Sequence, residues 1–271
     1  MNPALPAMIR YASARGIKTV VSTNGQFFSN ESYLIELLTS GLTTLIVAID
    51  SLGEETYESY RKNGSLNKAL EGLKRTIELK DKLSSMTIIN MRMVIMKQNE
   101  HEIDALRDMA VAMGVDRFSV KTANPSCDSH LIDEGVVPED PKYRRYEYQQ
   151  GSYQRIRIDS SCNLIWSMCN IHSNGDIVPC CHDYDGIMKV GNIHTEKVSK
   201  AWNSPIYREL RKKITKDRSS MARCVECGIN FKLSKSGWFV ESLDLAMERK
   251  NPNQARLKEQ LSEADERINE L

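Results

Sequence analysis

The residues best equipped for chemistry are cysteines. All seven lie between Cys127 and Cys227, and none precedes Cys127. Cys224-Val225-Glu226-Cys227 is a C-x-x-C pair, whose two thiolates can reach one metal or cluster from a single tight turn. Cys162, before a predicted hairpin, and Cys180 with Cys181, at the end of its second strand, supply the other half of a site. Two pairs from distant segments make a four-thiolate set, the ligand complement of an iron–sulfur cluster or of structural zinc. Spacing alone does not choose between these two, and buried apolar cysteines are the plain alternative. Cys127, Cys169 and Cys181 are surplus: Cys169 reads as core within the first hairpin strand, and Cys181 points away from Cys180 if that strand persists. His172, His182 and His194 lie close by and read as polar surface residues rather than ligands.

These cysteines need elements to position them. The first 125 residues repeat one pattern, a helical stretch followed by a short β-rich apolar run. The runs are Ile17–Ser22, Thr43–Ile49, Ile88–Met96 and Arg117–Lys121. Helices are predicted at about Ala4–Ala14, Glu31–Thr39, Leu66–Lys82 and Glu102–Met113. Such alternation implies right-handed βαβ units and a parallel sheet covered by helices. Short strands bounded by Gly and Asn fit a barrel, whose functional loops leave the strand C-terminal ends. An open doubly wound sheet is the rival. By the family resemblance given below, residues 1–126 read as a partial α/β barrel, and residues 127–160 as a Pro-, Asp- and Tyr-bearing linker. Residues 161–240 form a small α+β metal-binding domain. In it, Leu164–His172 and Asp176–Cys180 flank the Ser173-Asn174-Gly175 turn signal, and a helix is predicted over Lys197–Lys213. Residues 241–271 read as a charged helix with Leu257, Leu261 and Ile268 on one face.

Composition limits the function classes. With 37 basic and 36 acidic residues in 271, the chain has no electrostatic footprint for nucleic acid. No apolar run reaches membrane-spanning length and no export signal opens the chain, so a cytoplasmic protein without a membrane partner is expected. An odd cysteine count, unevenly placed, argues against a disulfide framework and for a metal or redox site.

Cys162, Gly175 five positions before Cys180, the run Val190-Gly191-Asn192-Ile193, Ala201-Trp202-Asn203-Ser204 and the closing CVEC together resemble the SPASM domain of radical SAM enzymes. The resemblance spans about Cys162–Cys227, and it shifts the expectation from zinc to an auxiliary [4Fe–4S] cluster on Cys162, Cys180, Cys224 and Cys227. Cys169 or Cys181 could replace Cys162 as fourth ligand. The front half resembles the same family. Ser22-Thr23-Asn24-Gly25 is similar to the end of a radical SAM barrel strand. Val47–Ser51 with Glu54, Tyr57 and Arg61 resembles the next strand and its SAM-facing loop, and Met93–Lys97 with Asn99 and Glu102 the strand after. The resemblance implies that Asn24, Asp50 and Arg61 lie near the S-adenosyl-L-methionine (SAM) pocket, a carboxylate beside ribose hydroxyls and a guanidinium near the methionyl carboxylate. Capping by Asp50 and solvation of Arg61 are the plainer roles.

The chain departs from the family in one large respect. It has no C-x3-C-x2-C triplet and no Gly-Gly-Glu-Pro stretch, so it resembles a radical SAM/SPASM protein from the third barrel strand onward. Without that triplet no 5′-deoxyadenosyl radical is expected from the chain alone, and SAM is a cofactor only if the missing part is supplied. The expected function is that of an iron–sulfur protein, the C-terminal part of a radical SAM/SPASM oxidoreductase. A peptide or small metabolite would be its substrate, with specificity around Asn124–His130, and a flavodoxin or ferredoxin its reductant. The alternatives are a non-catalytic four-cysteine zinc module and a truncated gene product.

Overall fold

The computed structural model describes residues 2–26, 28, 30–124, 135–158, 160–225 and 227–250. Cys127, most of the expected specificity loop and the distal tail with Leu257, Leu261 and Ile268 lie outside them. The chain forms two compact units. The first takes the chain up to Ala123, Val136–Arg145 and the chain from Lys235 onward; the second takes Tyr146–Ser234 with the segment that begins at Asn124.

The first unit is a sheet of four parallel strands in sequence order, β1 (Val20–Thr23), β2 (Thr44–Ala48), β3 (Ile88–Ile95) and β4 (Arg117–Thr122). Helices α1 (Leu5–Ser13), α2 (Glu31–Leu38), α3 (Glu54–Tyr60), α4 (Leu66–Lys82) and α5 (Ile103–Met113) connect and precede them. Strand residues of one parity, Leu45, Val47, Ile89, Met91, Met93, Phe118 and Val120, share a core with Leu34, Leu37, Leu73 and Leu106 of the helices. That period of two turns one sheet face to the helices. Four successive parallel neighbours pack their helices against one sheet face, as in a barrel wall. The doubly wound alternative would need a reversal of strand order, and none occurs among these four strands.

Local chemistry sets the element ends. Asn30 Oδ1 accepts from Tyr33 N at 3.1 Å to open α2, and Ser65 Oγ accepts from Lys68 N at 3.3 Å to open α4. The Glu54 carboxylate accepts from Leu66 N at 3.0 Å and so helps cap α4 from α3. Helix α3 lacks an apolar stripe, and only Tyr57 of its seven residues is buried.

Several boundaries differ from those read in the sequence. A fifth strand, Phe239–Leu243, pairs antiparallel with β4, opposite Phe118–Lys121. It precedes a short helix at Leu245–Lys250. The stretch from 239 onward is therefore sheet edge before it is helix. The predicted linker is divided: Val136–Arg145 belongs to the first unit, whereas Tyr146, Tyr148 and Arg157 are bridged to Leu233, Arg155 and Phe231 in the second.

In the second unit, α6 (Leu164–Ser167) is a single helical turn where the first hairpin strand was expected, and only Asn170–Ile171 (β5) pairs with β6 (Asp176–Val178). A third strand, β7 (Gly191–Asn192), joins them. The hairpin turn is real but longer than an Asn-Gly two-residue turn. Gly175 N donates to His172 O at 2.9 Å, and Gly175 alone takes the left-handed conformation, φ +85°. A Cβ there would also lie 2.5 Å from the His194 ring. The predicted Lys197–Lys213 helix is two helices, α7 (Val198–Trp202) and α8 (Pro205–Lys216). Ser204 caps the second by accepting from Tyr207 N at 3.1 Å, and Pro205 cannot continue the first.

Gly72 sits where α4 crosses the loop after β1; a Cβ would lie 2.7 Å from Phe28 Cβ and 3.1 Å from Gly25 O. Gly72→Ala should gain helix propensity yet lose more to overpacking, a net destabilisation of about 1–2 kcal/mol. A lower urea midpoint at unchanged slope is the expected readout.

Candidate metal centre

The cysteines converge inside the second unit. Cys162 precedes α6, and Cys180 lies in the bend after β6. Cys224 stands within α9 (Ala222–Val225), and Cys227 just beyond it. These four line one small cavity with Ile165, Met188, Ile214 and Ile229 as apolar wall. Cys227 is buried, the other three are half-buried, and Cys169 and Cys181 are exposed. Neither of the last two lines the cavity. Strand β6 ends at Val178, so strand parity does not govern Cys181. Cys169 precedes β5 and is not core.

The surroundings act on the cysteine sulfurs in opposing directions. Burial pushes the Cys180 thiol up to about 11, opposed by the backbone N–H groups of His182 and Asp183, which donate to its sulfur. Burial likewise raises Cys224 to about 11; neighbouring Cys180, Cys227 and Cys162 add to this, and Arg218 opposes it. Arg218 and Arg223 both line the cavity. Arg223 pairs with Asp185, and Arg218 donates to Asn230, whose own amide donates to Cys224 O at 2.6 Å. These two arginines escaped the sequence reading, although both stand within six residues of Cys224. Of the three histidines, only His182 lines the cavity.

Arg211 braces α6, which carries Leu164 and Ile165 of the cavity wall. Its guanidinium lies 3.8 Å from the Tyr207 ring centroid and 4.4 Å from that of Trp202. It donates to Ile165 O at 3.2 Å and Trp202 O at 2.9 Å. This fastens α6, which follows Cys162, onto α7 and α8.

The other sequence-derived residues lie in the first unit, at the strand C-terminal ends. Asn24 and Arg61 line a common cavity of about 610 Å³ with Gln26, Tyr60 and Lys68. Asp50 is brought to Arg61 but does not open into that cavity's lining: it is 1% exposed, and both carboxylate oxygens are engaged. Oδ2 accepts from Arg61 Nε at 2.5 Å and Oδ1 from Val94 N at 2.8 Å. Burial pushes its carboxyl above the ordinary range, with Arg61 and the Val94 amide opposing. Beside it, Asn99 donates to Asp50 O at 2.8 Å and Val94 O at 3.0 Å, and Glu102 accepts from Leu52 N at 2.7 Å. Buried polar side chains thus tie the ends of β2 and β3 together, and Asp50 does not cap the following helix.

Residues 162–228 match the family model described as an iron-sulfur cluster-binding domain, SPASM. That match covers 67 of the chain's 271 residues. The whole fold is similar to solved radical SAM structures. Streptococcus suis SuiB bound to S-adenosylmethionine matches with TM-score 0.54 at 19% identity, over 87% of this chain and 59% of that one. The same protein bound to its precursor peptide SuiA gives TM-score 0.54 at 17% identity. The anSMEcpe structure with bound AdoMet gives 0.52 at 13% identity, over 86% of this chain and 68% of that one. In sequence, the chain is 29% identical over 136 residues to the Fe-coproporphyrin III synthase of Methanosarcina barkeri, covering 50% of this chain and 30% of that protein. The chain therefore spans less than two thirds of the SuiB structures and of that synthase. These matches support the radical SAM/SPASM resemblance read in the sequence, and the SPASM domain implies iron–sulfur binding. Among the described residues no helix is long and apolar enough to cross a membrane.

If Asp50 serves chiefly to pin Val94 and Arg61, Asp50→Ala should destabilise the chain by about 2–3 kcal/mol. That is less than a fully buried pair would lose, because Arg61 can turn toward solvent. Asp50→Asn keeps an acceptor for Val94 N and should lose clearly less. Chemical denaturation of the two variants side by side checks the order.

Proposed function

We propose that this chain is part of a radical SAM/SPASM oxidoreductase in which Cys162, Cys180, Cys224 and Cys227 hold one auxiliary [4Fe–4S] cluster. The observation that carries this reading is the convergence of those four cysteines on a single cavity within the SPASM domain. The donor set fits: four thiolates are the common complement of such a cluster, and hydrogen bonds to sulfur and nearby positive charge stabilise it. The same four thiolates could hold zinc; the match of residues 162–228 to an iron-sulfur cluster-binding domain favours the cluster.

When bound, the cluster would supply one-electron chemistry; the chain's own residues supply its thiolates, the N–H donors of His182 and Asp183, and the apolar wall that excludes water. By the same reading Asn24 and Arg61 belong to the SAM-facing loops, and Asp50 is a positioning residue that orients Arg61. The substrate is a peptide or a small metabolite, and the electron donor a flavodoxin or ferredoxin, in a reducing compartment such as the cytoplasm. SuiB is known in complex with a precursor peptide, and the Methanosarcina barkeri relative is a tetrapyrrole synthase by name.

The direct test is to purify the chain without oxygen and measure iron, acid-labile sulfide and zinc together. About four iron and four sulfide per chain are expected, retained in Cys169→Ala and Cys181→Ala and lost in Cys180→Ala. Stoichiometric zinc without sulfide would falsify the cluster reading. Because the seven cysteines include no C-x3-C-x2-C triplet, the loaded chain with SAM and dithionite should yield no 5′-deoxyadenosine by chromatography. Turnover of SAM would contradict the assignment of a solely auxiliary role.

A further inference from the structure

The sheet face turned away from the helices carries polar residues that a cluster in the second unit does not use. Asn90 and Ser119, from β3 and β4, are 2% and 1% exposed. Arg92 stands directly opposite Ser119 in the register, and its Nε donates to Ser119 Oγ at 3.1 Å. With its amide oriented so that both ends are satisfied, Asn90 donates to Ser119 Oγ and Met91 O, each at 3.0 Å, and accepts from Arg92 Nη2 at 3.3 Å. The guanidinium carbon lies 5.4 Å from the ring centroid of half-exposed Phe239.

This arginine is held but not neutralised. Burial and the charge of Arg117 both push its pKa down, and no carboxylate among the described residues acts on it. Arg117 has its own carboxylate, Asp244, at 3.4 Å. A half-buried cation ordinarily acquires an anionic partner, since desolvation without one is costly. Arg92 instead spends Nε and one proton of Nη2 on buried neutral acceptors. These fix the plane of the fork and leave its Nη1–Nη2 edge for a bidentate acceptor.

We propose that Arg92, oriented by Ser119 and Asn90 over Phe239, anchors a site for a carboxylate group. Calling that carboxylate part of a substrate rests on the function proposed above; the binding itself rests only on the sheet. An apolar flank beside the carboxylate fits Phe239, so an aromatic acid is the preferred probe.

The test is a titration of the full ¹⁵N-labelled chain with benzoate at constant ionic strength, following the arginine Nε–Hε resonances. The Arg92 resonance is assigned from Arg92→Lys. A saturable shift at Arg92 and at the Ser119 amide is expected, weakened at least about tenfold in Arg92→Gln and in Arg92→Lys, which lack the planar fork. Matched urea midpoints for the variants establish that loss of binding is not loss of fold. Non-saturating shifts equal to those from chloride, or undiminished binding in Arg92→Gln, would overturn the site. Saturation by inorganic phosphate but not benzoate would overturn the carboxylate assignment. Iron and sulfide content, measured on the same sample, separates the two readings. Carboxylate binding without iron sinks the proposed function alone, and iron without carboxylate binding sinks this inference alone.

Discussion

Thiolates gathered in a buried pocket repel one another, and the second unit depends on how that repulsion is relieved. Burial, with neighbouring cysteines adding to it, pushes Cys180 and Cys224 up to about 11. A metal group that takes the thiolates must displace those protons and supply positive charge in their place, so binding and folding become one process. One apolar cluster of this unit is Ile177, Val190, Ala201 and Tyr207, with Trp202 and Leu210 packed against it, and Ile165, Met188 and Ile214 are buried at the cysteine cavity. A small domain gains from a staple beside such a core. The four cysteines are placed to serve as one, because they join the start of α6, the end of β6 and the α9 turn. Arg211 secures α6 to α7 and α8 through carbonyls and rings, with no metal involved.

The first unit meets a different demand. Loops leaving parallel strands must hold polar groups at strand ends without exposing the sheet. Asp50, Asn99 and Glu102 do this by turning their polar atoms onto backbone groups of the neighbouring segment. The cost of burying Asp50 is offset by two good partners rather than by solvent. That is why a residue expected to face a ligand is found bracing the loop that presents Arg61. Asp50 thereby holds Arg61 at the rim of the cavity that Arg61 lines.

The sequence was legible where one period dominated. Leu66–Lys82 was found to the residue because a long amphipathic stripe begins at a serine cap. The four parallel strands were found because alternating apolar residues face a helix layer. Helix α3 was missed because its seven residues bury only Tyr57, leaving no stripe to detect. The Phe239–Leu243 strand was missed because its partner β4 is more than a hundred residues away and its Glu241 interrupts the apolar run. That glutamate is satisfied only in the folded sheet, by a bidentate contact with Arg107 at 2.7 and 2.6 Å. The α7–α8 break was in fact written in Ser204-Pro205, an N-cap and N1 signal inside a stretch whose apolar spacing suggested one helix. The cysteine set was readable in part. Spacing named the C-x-x-C pair, but only the fold shows that Cys162 lines the cavity and that Cys169 and Cys181 do not.

The order of the two units along the chain has an energetic consequence. The metal-binding unit is inserted between β4 and the strand that pairs with it, so this antiparallel edge closes a loop of over a hundred residues. Closing a free loop of that length costs entropy that grows with the logarithm of its length. Here the excursion is closed within the second unit itself, where Tyr146 is bridged to Leu233 at the two ends of the insertion. In the first unit, Arg145 stacks on Trp238 with its guanidinium carbon 3.6 Å from the ring centroid, and Ser236 donates to Lys142 O. The outgoing and returning chains are thus paired on each side of the insertion. Once the second unit folds, the strand at Phe239 is delivered to β4 as if by a short connection. The edge of the sheet, and with it Phe239 beside Arg92, therefore depends on closure of the insertion that precedes it.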